Sequence, residues 1–196
     1  MSVHKISCLA CHARQTTGYA RRLVIAPEKL RNLCHNQRAV LWGKGAKGIE
    51  DARNFHSGVA CVSCHMTEGN HDMRVIRPDD PGLAGNRQDT CTACHKDNNR
   101  AARVDQIQEW QSTYEENMAS VLAEVKSVEA AIESTPSLLD ASSKGKFEDV
   151  KANLSILQKD RSRSFHNFVF ALEITSRATA DLREIKAAFN KGDELH

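Results

Sequence analysis

Seven cysteines mark where this chain can do chemistry, and six of them come in pairs separated by two residues: Cys8/Cys11, Cys61/Cys64 and Cys91/Cys94. A histidine follows each pair directly, giving CLACH at 8–12, CVSCH at 61–65 and CTACH at 91–95. Two intervening residues let both thiols reach the two vinyl groups on one porphyrin edge. The next side chain, His12, His65 or His95, then swings under the ring to ligate iron. Paired CxxC segments also build zinc sites of four cysteines or of cysteines and histidines. Zinc does not require a histidine directly after the second cysteine, and here it follows all three pairs. Covalently bound haem c is the reading this pattern favours.

Cys34 stands apart. It lies in RNLCH at 31–35, the same motif with Arg31 where the first cysteine should be. Motif starts at 8, 31, 61 and 91 make the last two intervals both 30 residues, but only when Arg31 counts as a start. On that reading a single thioether from Cys34 holds a fourth porphyrin and His35 binds its iron. The plainer reading is a buried free thiol beside an incidental histidine, an oxidation liability in an oxidising compartment. At least three haems are therefore expected, and four on the fuller reading.

The histidines are numerous enough to cap them. Of nine, four follow motif cysteines and His196 is the last residue, which leaves His4, His56, His71 and His166 for four distal positions. A lone histidine is more often a surface or satisfied core residue than a ligand, but the matching count favours ligation. His4 and His56 sit just upstream of a motif, too near in sequence to reach over their own haem. Each is expected to cap a neighbouring one.

These residues must be positioned by what surrounds them, and the chain reads in two parts. Residues 1–100 hold every cysteine, in loops rich in Gly, Asn, Asp and Pro such as RPDDPGLAGN at 77–86, with no alternating strand pattern. Haems rather than a sheet should organise this region. In residues 101–196 apolar positions recur in steps of three and four through Val104, Ile107, Trp110, Tyr114, Met118, Val121, Val125, Val128 and Ile132, the mark of an amphipathic helix ending near Pro136. A loop with Ser142, Ser143 and Gly145 should follow. A second helix is expected from about Phe147 to Phe189, carrying Val150, Leu154, Leu157, Phe168, Leu172 and Leu182, with His166 at its middle. The fold expected is mainly α: a loop-rich multihaem region, then a long antiparallel helical hairpin. The near-heptad spacing fits either an intramolecular seam or a homo-oligomer interface.

Composition agrees. Aromatic residues are 5% of 196 residues, thin material for a core of this length, and haems would fill the interior. A formal charge of +2 does not point to nucleic acid as a partner. Gly43–Gly48 fits G-x-G-x-x-G literally, yet lacks a convincing strand before it, and a haem motif soon follows. It reads as a flexible loop that brings Lys44 and Lys47 towards propionates or a redox partner.

The order CVSCHM, His71, CTACH, long helix and second long helix with a central FHN resembles the C-terminal part of the pentahaem cytochrome c nitrite reductases. Hydroxylamine oxidoreductase and octahaem reductases look similar. The likeness covers roughly residues 50–190, with CHNQR at 34–38 adding to it. It implies haem motifs preceding long helices, helices that mediate dimer contact, and His166, His56 and His71 as distal ligands. The chain departs from the family in lacking the CxxCK motif of the active-site haem. The resemblance therefore supports the architecture and not the catalysis.

Two function classes follow. The first is an electron carrier, whose bis-histidine haems pass electrons in a packed row between a redox donor and an acceptor. The second is a reductase or oxidoreductase of small nitrogen species such as nitrite or hydroxylamine at one open haem iron, with RNLCH the candidate for the special site. The histidine count favours the carrier. Haem c is normally attached after export, so the periplasm or cell surface of a prokaryote is the expected location. Residues 1–30 show no signal segment, and no apolar run reaches membrane-spanning length.

Overall fold

A computed structural model describes residues 38–52, 54–67, 71, 74–83, 88–96, 99–135 and 139–193. Among the described residues there are five helices and no strand: α1 Arg38–Trp42, α2 Cys61–His65, α3 Arg100–Ser134, α4 Ala141–Asp160 and α5 Phe168–Asp193. The mainly α expectation holds. The chain divides into two compact units, one containing Gly58–Val104 and the other Gln37–Ser57 with Asp105–His196. No described helix is long and apolar enough to cross a membrane.

The second unit is built on the apolar stripes of three helices. Steps of three and four bury Met118, Val121, Val125 and Val128 on α3, and the same spacing buries Phe147, Val150, Leu154 and Leu157 on α4. Phe170, Ile174, Ala178, Leu182, Ile185 and Phe189 of α5 complete one shared core, which Val40 of α1 also enters. Each large side chain so buried contributes about 1.5–3 kcal/mol relative to exposure. The Tyr114 hydroxyl bonds the Leu157 carbonyl at 3.5 Å, and Lys146 pairs with Glu184, so α4 runs antiparallel to both neighbours. Trp110 stacks on Phe168 at 5.3 Å and Lys186 meets Glu124 at 3.5 Å, so α3 and α5 run the same way.

Two details of the helical pattern differ from expectation. Asp140 is an N-cap whose carboxylate accepts the Ser143 N–H at 2.6 Å, so Ser142, Ser143 and Gly145 lie inside α4 rather than in a loop. The helix expected over 147–189 is also interrupted. Arg161 takes a left-handed φ of 57°, Arg163 and Ser164 follow at 54° and 70°, and the chain turns before α5 begins. Asn167 caps α5 by accepting the Phe170 N–H at 3.1 Å. The interruption resets the helical phase. Phe170 and Ile174, both 0% exposed, therefore hold the core positions that uninterrupted spacing gives to Phe168 and Leu172.

Between α1 and residue 57 the chain follows the bundle surface. Gly43, at φ 62°, lies so close to the Ala52 carbonyl that a Cβ would stand 1.9 Å from its oxygen, so glycine is obligatory there. The loop is held down rather than loose. Asn153 donates to the Lys47 carbonyl at 2.9 Å and accepts the Lys47 N–H at 2.7 Å, and Asn167 donates to the Ala52 carbonyl at 2.6 Å. A helix, α1, precedes the glycines where a dinucleotide-binding turn needs a strand.

Candidate haem-binding sites

The unit containing Gly58–Val104 carries two of the motifs, each wound into a single helical turn. CVSCH is α2 itself, entered through Ala60 in extended conformation without a side-chain cap. In CTACH the Cys94 and His95 N–H groups both bond the Cys91 carbonyl, at 3.1 and 2.8 Å. Helical geometry puts residues three apart on one side of such a turn. Cys61 with Cys64, and Cys91 with Cys94, are thus paired on a common side with His65 or His95 next in line. None of the four cysteines is in a disulfide. Two thiols on one side and an adjoining imidazole are the donor set that covalent haem c requires, so these residues fit the group.

The CTACH turn is braced by polar contacts. Buried Asp89 accepts the Thr92 N–H at 2.9 Å and the Thr92 hydroxyl at 2.7 Å. Arg103, in the first turn of α3, donates to the Thr92 hydroxyl oxygen at 3.0 Å. The Thr90 N–H bonds the Ile76 carbonyl at 2.8 Å, and the Ile76 N–H bonds the Thr90 hydroxyl at 3.2 Å. Arg100 donates to the Pro78 carbonyl at 2.5 Å. Burial works against the Asp89 charge, but the Thr92 hydroxyl, the Thr92 and Cys91 amides and the Arg103 guanidinium outweigh it and hold the carboxyl below its usual value. Burial pushes the Cys91 thiol up to about 11, with the Asp89 charge adding to the effect.

The candidate distal histidines are placed differently from one another. His71 is exposed, in the same unit as the two motifs. His56 is exposed in a turn of the other unit, and its N–H bonds the Asn54 side-chain oxygen at 2.8 Å. His166 lies in that unit too, in the left-handed turn after α4 and not mid-helix as the spacing predicts. Its Nδ1 is 2.5 Å from Asp160 Oδ1, its backbone N–H bonds the Ser162 hydroxyl at 3.1 Å, and its carbonyl accepts from the Asn54 amide. A hydrogen on Nδ1 shared with the carboxylate puts the ring's lone pair on Nε2. This is how carboxylates commonly orient metal-ligating histidines.

His4, Cys8, Cys11, His12, Cys34 and His35 lie outside the described residues. Among the described residues no three or more His, Cys, Asp or Glu side chains converge as a metal cage. Sequence reasoning missed Asp89, Asp160 and Asn54. Only Asp89 leaves a local trace, an acid three residues before Thr92 in the pattern of an N-cap.

The fold is one shared with cytochromes. An outer cell wall cytochrome, OcwA, matches 90% of this chain at a TM-score of 0.74 and 24% identity. An undecahaem cytochrome from the S-layer of Carboxydothermus ferrireducens matches 91% at 0.70 and 21%. The chain spans 39% of the first protein's length and 32% of the second's. No family model and no curated protein matches it.

Proposed function

We propose that the chain is a multihaem c-type cytochrome, tetrahaem on the fullest count, that transfers electrons along a row of bis-histidine haems. The observation that carries this reading is the pair of CxxCH turns, each with its two cysteines on one side and in no disulfide, in a fold shared with cytochromes. The haems supply one-electron chemistry; the chain fixes their spacing and potential. Region 1–100 holds them through Cys8/Cys11, Cys61/Cys64, Cys91/Cys94 and a single thioether from Cys34. Proximal ligands are His12, His35, His65 and His95, and distal ligands are His4, His56, His71 and His166. Region 101–196 is the helical scaffold that presents His166. Donor and acceptor are redox proteins, and the place of action is the cell envelope. The names of the two cytochromes that share the fold support that location, as does the need to attach haem c after export.

Two measurements on the haem-loaded chain test this. Intact mass under denaturing conditions should show four covalent haems; three would remove the Cys34 site from the reading. The oxidised protein should show low-spin haems alone in electron paramagnetic resonance and ignore added nitrite or hydroxylamine. A high-spin signal that shifts on addition would overturn the carrier reading in favour of a reductase with one open iron.

A further inference from the structure

We infer that Asn54 is a positioning residue shared by two distal histidines, one side-chain amide holding the backbones of His56 and His166 as a single ligand-bearing platform. The inference rests on the proposed ligation of haem iron by those histidines. A primary amide has an acceptor end and a donor end, and both are engaged. Oδ1 accepts the His56 N–H at 2.8 Å, while Nδ2 donates to the His166 carbonyl across 112 positions of sequence. Turning the amide over would set its NH2 against an N–H and its oxygen against a carbonyl, so only one orientation satisfies both.

The surroundings make Asn54 the junction. His166 is already fixed on its far side, by Asp160 at the ring and by Ser162 at its N–H. It sits just beyond Arg161, Arg163 and Ser164, at φ of 57°, 54° and 70°. Non-glycine residues in that region persist only where surrounding contacts over-determine them, and such strain gathers at functional sites. The loop bearing His56 is tied to the bundle earlier, at Lys47 by Asn153 and at Ala52 by Asn167. Asn54 adds a tie two residues before His56, to the very residue that carries the other imidazole. Loss of this amide should therefore alter two irons at once.

The test uses the full haem-loaded chain, read by electron paramagnetic resonance and by the midpoint potential of each haem. His56→Met and His166→Met first identify the two signals; if either is silent, the ligand reading falls and this inference falls with it. Asn54→Leu should then shift both signals together. Asn54→Asp keeps the acceptor for His56 but sets a carboxylate against the His166 carbonyl, so it should shift the His166 signal more than the His56 signal. It also serves if the leucine variant fails to fold. Asn153→Ala loosens the same loop elsewhere and should lower the melting temperature with both signals unchanged. The inference is overturned if neither Asn54 variant moves a signal, or if Asn153→Ala moves both as far as Asn54→Leu does.

Discussion

The two compact units are specified by different physics. In the helical unit, side chains from three helices close an apolar core in which Phe170, Ile174 and Leu182 are 0% exposed. Among the described residues 58–104, the buried apolar side chains are Ile76 and Pro78, and their buried companions are the polar Asp89 and Thr90. A core of the first kind is stabilised chiefly by burial, at about 25 cal/mol per Å² of apolar surface. A region of the second kind has little such surface of its own. Its order depends on polar turns and, on the proposed function, on covalently attached haem. A protein of this design should lose its two halves to different insults.

The sharpest way to break the comparison is to take away an attachment site. Replacing Cys91 and Cys94 by Ser should remove one haem by intact mass and abolish amide-exchange protection around 74–96, while peptides from α4 and α5 keep theirs. Equal loss of protection in both units would show that haem also organises the bundle. The reciprocal change comes next in size. Ile174→Ala opens a cavity in the apolar core and should cost about 2–5 kcal/mol, the range for large-to-small substitutions at buried sites. Thermal unfolding followed by far-UV circular dichroism would register the drop, and intact mass should be unchanged.

The same contrast governs what could be read from the sequence. Haem attachment demands fixed residue types at fixed spacing, so CVSCH and CTACH are legible without any knowledge of fold. The stripes of α3 and α4 are legible because burial imposes a period. The interruption at Arg161 is not. No glycine or proline lies between Asp160 and Phe168, and apolar residues continue on both sides. Its left-handed residues sit among contacts that are tertiary or set by a handful of polar side chains: Asp160 on His166, Ser162 on the His166 N–H, Asn167 on Ala52. The motif order pointed to nitrite reductases, whereas the solved structures that share the fold are named as outer cell wall and S-layer cytochromes.

The finest difference lies within the unit containing Gly58–Val104, where the turn at Cys91 has a side-chain cap and the turn at Cys61 has none. Asp89→Ala should therefore destabilise the region around CTACH by about 0.5–2 kcal/mol at pH 7, the usual worth of an N-cap. Part of that contribution belongs to the charge, and its pH dependence has a definite sign. The folded state holds the Asp89 carboxyl below its usual value, so folding favours the carboxylate. Such a group stabilises fully above the unfolded value, about 3.9, and the contribution fades as pH falls through the lower folded value. The gap between native protein and Asp89→Ala should thus be widest at neutral pH and narrow on strong acidification. Acid also protonates haem ligands, but both proteins share that loss, so the difference between their denaturation midpoints isolates Asp89. A gap that stays constant with pH would mean that the hydrogen-bonding shape of the cap, and not its charge, holds the turn.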